Sequence, residues 1–296
     1  IFRDLDDVIV PGLTHWCASN KFFAYFKPHS AYPAVLGEMV CAGLNVMGFD
    51  WIASPACTEL EVVTLDWLAQ ILCLPRSFLN CESGPGGSVI QGSAGESAIV
   101  VILAAILKVQ NSKEGQHLER DEMVVLGSDQ THTIVKKACR VLGVQYHEIM
   151  TDAQEHWGMQ QAQVVSGIEQ CMGKGMHPIV VVATTGTTSS CAFDDVEGIG
   201  KVCKARDIWL HLDAAYGGAY ACLPECAHLF KGIELADSFC VNAHKKLLCP
   251  FDLSALYLAD RHPVIAALSV DSEYLRNEHS DSGAVVDYEN WQLPLG

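Results

Sequence analysis
Two runs in the last third of the chain, IWLHLDAAYGG (residues 208–218) and DSFCVNAHKKL (residues 237–247), decide how the rest is read. Each contains an apolar run of strand length. The first ends on a carboxylate, Asp213; the second ends on Asn242-Ala243-His244-Lys245. A lysine is out of place there. Burial disfavours the charged ammonium and so frees the amine as a nucleophile. Neither run is decisive alone. Strands ending in Asp occur at α/β sites of many kinds, and a strand-end lysine is more often a solvated rim residue.

Outward from these runs, strands and helices alternate. The pattern predicts strands over Met123–Gly127, Val144–Met150, Ile179–Thr184, Ile208–Asp213, Ser238–Val241 and Ser254–Ala259. It predicts helices over Ala34–Val46, from Ser54-Pro55 to a stop before Pro75, and over Ala98–Lys108, Thr131–Leu142, Gln160–Met172 and Val196–Ala205. In the second of these helices Leu60, Val63, Trp67, Leu68, Ile71 and Leu72 recur on one face. Residues 1–33 read as irregular, rich in aromatics and turn formers. Near-continuous apolar strands between helices mean a largely parallel sheet covered on both faces, an α/β fold. Such sheets bind ligands beyond the carboxyl ends of their strands. Thr184, Asp213 and Lys245 fall at such ends, and His132 in the loop after another.

The stretch NCESGPGGSVIQGSAGES (residues 80–97) crowds glycines before an apolar helix. Free amides and the helix dipole make this a phosphate cradle. A dinucleotide fingerprint is the rival reading, but no strand is predicted ahead of the glycines. A nucleophilic lysine, a carboxylate for a cationic ring and a phosphate cradle are together the requirements of pyridoxal 5′-phosphate (PLP).

Composition narrows the class further. Half of the 296 residues are hydrophobic, enough for a sizeable core, and the formal net charge of −16 argues against nucleic acid or an anionic membrane as partner. The longest apolar run, Ala98–Leu107, is too short to span a bilayer. The 13 cysteines form no even disulfide framework, and Cys41, Cys139, Cys203 and Cys240 fall in predicted core elements, which fits a reducing, cytoplasmic setting. The charged opening IFRDLDD does not read as a signal peptide. No stretch has metal-ligand spacing, and His211 reads as a core residue. The absence of an initial Met and the abrupt NWQLPLG ending read as a fragment.

The chain resembles the PLP-dependent group II amino-acid decarboxylases, and among them the aromatic L-amino-acid decarboxylases. The resemblance rests on PGLTHW, FFAYF, SPACTELE, VIQGSA, SDQTH, ATTGTT, WLHLDAAYGG, ADSF, NAHK, DSEYL and DYENWQLPLG, in family order along almost the whole chain. It implies the fold type I architecture of PLP-dependent transferases, with the small C-terminal domain missing. Residues 1–55 would be an N-terminal linking segment with pocket aromatics, and 56–296 the large PLP-binding domain, including a mobile catalytic loop at about 268–284. Lys245 would carry the cofactor, Asp213 would pair with its ring nitrogen, and Ala215 and His132 would pack on its two faces. Thr184 would lie near the ring, while Ser93, Ala94, Asn242 and His244 would hold the phosphate. Trp16, Tyr25, Phe26 and Phe49, with His132 and Thr184, would wall the substrate, Phe49 from the partner subunit. Tyr274 would act on the substrate carbon.

The implied reaction is decarboxylation of an aromatic L-amino acid to its amine, in a homodimer with a shared site. The alternatives are an aromatic aldehyde synthase of the same family and an inactive or fragmentary relative serving as a dimer partner; a nucleotide-binding oxidoreductase is the outlying reading. The chain departs from the family pattern at Gly95, where a serine is common, at Lys246, where a tryptophan is usual, and at Lys27 and Pro28 in the substrate wall.

Overall fold
The computed structural model describes residues 1–16, 19–22, 26, 30–112, 117–270, 278–283 and 285–293. Its centre is a seven-stranded sheet in the order β1-β7-β6-β5-β4-β2-β3. The strands are β1 (Gly87–Gln91), β2 (Met123–Ser128), β3 (Gln145–Ile149), β4 (His177–Thr184), β5 (Trp209–Asp213), β6 (Ser238–Asn242) and β7 (Ser254–Leu258). Neighbours from β3 through β6 pair in parallel, and β7 runs antiparallel to both β6 and β1. The largely parallel α/β expectation holds.

The main helices are α1 (Tyr32–Leu44), α2 (Pro55–Ile71), α3 (Ala94–Gln110), α4 (Thr133–Leu142), α5 (Gln161–Met172), α6 (Val196–Ala205), α7 (Ala243–Lys246) and α8 (His262–Leu268). Two cores flank the sheet, as its doubly apolar strands require. On one face Leu65, Ala69 and Leu72, with Val164 and Ile168 of α5 and Ile199 of α6, pack on Leu126, Val181, Leu212 and Phe239. On the other, Val101, Ile102, Ala105 and Ile106 of α3 with Val135 and Cys139 of α4 pack on Val125, Val182, Cys240 and Leu256. Local signals set the helix ends. His132 caps α4, and Gly143 closes it with a φ of 75°, a conformation glycine adopts without the Cβ penalty. Asp195 caps α6 through the Gly198 amide.

Four sequence expectations are corrected. The glycine-rich stretch contains a strand, β1, and its helix begins at Ala94 rather than Ala98. Edge position hides β1 in the sequence: among the described residues, side chains of Asn80, Glu61 and Gln292 meet its outer backbone groups. Residues 2–12 form consecutive helical turns rather than irregular chain, and they are exposed. The periodic face of α2 is split: Leu72 is buried, whereas Leu60, Val63, Trp67 and Ile71 are exposed. The inward face instead uses Leu65, Ala69 and Asp66, whose carboxylate accepts the Asn80 and Cys81 amides. Cys41 is exposed on α1, while Cys139, Cys203 and Cys240 are buried as expected. His211 is a core residue: Ser238 bridges its Nδ1 and the Trp209 indole at 2.8 Å each, and burial pushes its pKa down to about 4.

Candidate active site
Register alone gathers the site. Thr184 of β4 lies opposite Asp213 of β5, and Asp213 opposite Cys240 of β6. Gln91 of β1 and Asn242 of β6 flank the same residue, Ser254 of β7. The turn into α3, the ends of β4, β5 and β6, and His132 after β2 therefore meet at one edge of the sheet. A cleft of about 560 Å³, open to solvent, lies there, lined by residues from each of these segments.

Asp213 is buried and accepts the Ala215 amide at 3.1 Å, which fixes its carboxylate at the strand end. Lys245 is half-buried in α7, its Nζ 5.6 Å from the centre of the Phe26 ring. Phe26 stacks on Tyr216 at 3.7 Å, and Lys246 Nζ lies 5.0 Å over the Tyr216 ring, so successive ammonium groups flank one aromatic pair. Lys246 is exposed and is not itself among the lining residues, its amine standing over the ring of Tyr216, which is. His132 accepts the Ile134 amide through Nδ1 at 3.2 Å, leaving the proton of the neutral ring on Nε2. Burial of part of the ring lowers its pKa; Asp213 opposes that shift and Lys245 adds to it.

Ser93 caps α3 by accepting the Glu96 amide, and Glu96 reaches back to the Gly92 amide at 2.9 Å. This reciprocal cap leaves the first free amides of a 17-residue helix at the cleft, a place for an anion. The hydroxyl of Thr184 and the Oδ1 of Asn242 are buried with no hydrogen-bond partner among the described residues. Both residues line the cleft. Buried polar atoms of this kind ordinarily find partners, and here the partner that fits is a polar ligand. An amine, a buried carboxylate, two unpartnered acceptors or donors and a helix N-terminus fit PLP.

Of the predicted residues, Phe26, Ser93, Ala94, His132, Thr184, Asp213, Ala215, Asn242 and Lys245 line the cleft together. His244 does not: its Nδ1 accepts the Leu253 amide at 2.9 Å and its ring packs on Phe251, so it holds the segment after α7. Trp16 stacks on Phe22 at 5.8 Å, away from the cleft. Phe49 also lies off the lining; its carbonyl accepts the Glu289 amide. Tyr25, Lys27, Pro28 and Tyr274 fall outside the described residues. The structure adds Ile134, Gly186, Thr188 and Tyr216 to the lining. For Gly186, Thr188 and Tyr216 the signal lies in the ATTGTT and DAAYGG runs, beside the residues named there; Ile134 follows the SDQTH run and carries no polar signal.

Residues 1–296 match the family model described as the pyridoxal-dependent decarboxylase conserved domain. Over 302 aligned residues the chain is 44% identical to the aromatic-L-amino-acid decarboxylase of Bos taurus, covering 100% of itself and 61% of that protein. It therefore spans about three fifths of that relative's length. The crystal structure of Oryza sativa TDC with PLP and tryptamine matches with a TM-score of 0.95 at 38% identity, over 100% of this chain and 61% of that one. Rhodiola rosea 4-hydroxyphenylacetaldehyde synthase matches with a TM-score of 0.89 at 36% identity, over 99% and 60%.

Proposed function
The chain belongs to the pyridoxal-dependent decarboxylase family, and from that premise we propose that it forms the large domain of an enzyme that converts an aromatic L-amino acid to its amine and carbon dioxide. The observation that carries this is the convergence of Lys245, Asp213, Thr184 and Asn242 beside the N-terminus of α3, with two polar atoms left for a ligand. Lys245 would hold PLP through its amine, Asp213 would keep a proton on the ring nitrogen, and Ser93 with the first amides of α3 would hold the phosphate. Ala215 and His132 would bound the ring. Bound there, PLP supplies the electron sink that loss of a carboxylate requires. Asp213, fixed in advance by the Ala215 amide, supplies charge without reorganisation. His132 keeps a donor on Nε2, and Phe26 with Tyr216 offers an aromatic wall.

A homodimer with a shared site is part of the same proposal. Its support is the apolar outer surface of α1 and α2, where Leu36, Met39, Val40, Leu60, Trp67 and Ile71 are exposed. Contiguous exposed apolar faces mark association surfaces. A cytoplasmic setting, supported by the cysteine content, also belongs to it.

The test uses the full-length protein. After addition of PLP and borohydride, peptide mapping should find the cofactor on Lys245, and an amino-acid panel should yield amine and carbon dioxide in equal amounts. No trapped cofactor, or cofactor trapped on Lys246, would overturn the assignment. Likeness to the Rhodiola rosea synthase supports a second reading, aldehyde formation. Aldehyde, ammonia and peroxide in place of amine, formed with carbon dioxide at the expense of one dioxygen and one water, would favour it.

A further inference from the structure
Asp194 is buried, with 4% of its surface exposed, and the proposed reaction makes no use of it. It stands where the loop after β4 returns to the sheet. One carboxylate oxygen accepts the Thr184 amide at 2.7 Å, and the other accepts the Met159 amide at 2.8 Å. Its own amide donates to the Thr184 carbonyl at 3.1 Å, and the Asp195 amide to the Met159 carbonyl at 2.9 Å. Asp194 thus grips both backbone groups of Thr184, whose unpartnered hydroxyl belongs to the cleft, and ties them to the segment before α5.

The same residue closes the loop between positions 184 and 194. That loop folds back through the Thr185–Phe193 bridge and through the Gly186 and Thr187 amides, which both donate to the Ala192 carbonyl. It contributes Gly186 and Thr188 to the cleft lining. Gly186 has a φ of 83°, and a Cβ on it would come within 3.0 Å of the Gly217 nitrogen and of the Tyr216 ring. The loop is therefore set against the turn that follows Asp213, with no slack for a shift.

A carboxylate is an expensive choice for this task. Burial pushes the Asp194 pKa up to about 7, and the charges that face it, Asp213 at the end of β5 and Asp129 after β2, push the same way. Chemistry explains the choice: two amide donors converge on one side chain, and only a carboxylate presents an acceptor to both. An asparagine would turn its NH₂ toward one of them and leave a buried donor unsatisfied, the costly case.

We propose that Asp194 is the positioning residue of the cofactor site, its carboxylate holding Thr184 and the Gly186–Thr188 segment in the arrangement that binds PLP. This rests on the PLP reading above. The experiment has two arms on the full-length protein. In the first, hydrogen exchange follows the Thr184 and Met159 amides of the wild type, without cofactor, from about pH 8 to about pH 6. Protection at one or both should fall with a midpoint near 7, where the carboxyl takes up its proton. Thr184 and Met159 amides that are unprotected at the upper pH, where the carboxylate accepts from both, would overturn the proposal. In the second, PLP affinity of the wild type and of Asp194→Asn is measured over the same range by quenching of tryptophan fluorescence. The variant should bind roughly tenfold more weakly at the upper pH, the size expected for one unsatisfied buried amide, and should lose the part of the pH profile centred near 7. Comparing the two profiles removes titration of the PLP phosphate and of His132, which both share. Equal affinity and an identical profile would overturn the proposal. Wild type that binds no PLP would defeat the cofactor reading alone, since the exchange arm still reports on Asp194. A variant that does not fold leaves the exchange arm decisive.

Discussion
Gly95 occupies the second position of α3, where the family commonly has a serine. A Cβ built there would meet Ser93 Oγ at 3.4 Å and Ile134 Cγ2 at 3.8 Å, ordinary contacts that leave room for a side chain. Gly95→Ser should therefore be accommodated, raise stability by about 0.5 kcal/mol through reduced freedom of the unfolded chain, seen as a higher thermal midpoint, and tighten PLP by adding a hydroxyl beside the free amides. Fluorescence titration and thermal melts check both; unchanged affinity would show that the amides already suffice. Asp213→Asn should still bind PLP but lose roughly 10²–10³-fold in turnover, the scale for removing a preorganised electrostatic partner. An unchanged rate would make Asp213 merely structural. Tyr274, in the polar run SVDSEYLRNEHSDSG, is expected from the family resemblance to return the proton to the substrate carbon. Tyr274→Phe should still release carbon dioxide while dioxygen oxidises the unprotonated carbon, so that the product shifts from amine toward aldehyde, ammonia and peroxide, read by assaying carbon dioxide, amine and peroxide together in air. Amine at the wild-type ratio would mean that another group donates. At this scale the sequence was most legible where chemistry conflicts with environment: Asp213 and Lys245 stood out as polar ends of apolar runs. His244 carried the same signal but turns away to hold Leu253, because side-chain direction in a four-residue helix follows local packing that residue identity does not encode.

Among elements, the pairing of α2 with β1 shows why the sequence hid one strand. Glu61 of α2 accepts the Ile90 amide at 2.7 Å, and Gln292 donates to the Ile90 carbonyl at 2.9 Å. The outer edge of β1 is satisfied by side chains distant in sequence, so a five-residue glycine-bounded run gave little to read. Burial pushes the Glu61 pKa from 4.5 up to about 7, with the Ile90 hydrogen bond opposing. A carboxyl that binds its proton more tightly when folded contributes stability fully present below about pH 4.5 and lost as pH rises through about 7. That contribution is on the order of 3 kcal/mol. Glu61→Gln keeps an acceptor for Ile90 and removes the buried charge. Its stability relative to wild type should thus rise between about pH 5 and about pH 8, measured by urea unfolding. A constant difference across that range would show that Glu61 does not titrate there. The long parallel strands and the helices between them were legible because each carries its own period; the split apolar face of α2 was not, because periodicity marks a face without saying what covers it.

At the scale of the whole molecule, α1 carries a second uncovered apolar face beside the one on α2 in the chain. Trp67 is 61% exposed and Met39 65%, and the proposed partner for this surface is a second copy. Trp67→Glu should weaken self-association at least roughly tenfold, as loss of a buried aromatic anchor does, with far-UV circular dichroism unchanged. Sedimentation of the full-length protein checks this; an unshifted monomer–dimer balance would place the interface elsewhere. The largely parallel sheet, its two cores and the position of the cleft followed from the alternation of elements and from strand ends alone. What did not follow was the assembly of the site from distant segments, which register decides.

The antiparallel seam between β1 and β7 also bears on how the protein is made. Gly87 pairs with Leu258 and Gln91 with Ser254, so the strand leading into the turn at Ser93 is the first of the seven to be synthesised and waits for the seventh. On the ribosome, β2 to β6 can begin to associate as they emerge, but β1 has no neighbour until β7 has left the exit tunnel. Contacts of such sequence separation form slowly and leave apolar surface open meanwhile. A nascent chain from which β6 and α7 have emerged but β7 has not presents both Asp213 and Lys245 yet has no seat for the turn at Ser93. It should engage a chaperone rather than PLP, and capacity for the cofactor should appear abruptly, as the seventh strand emerges.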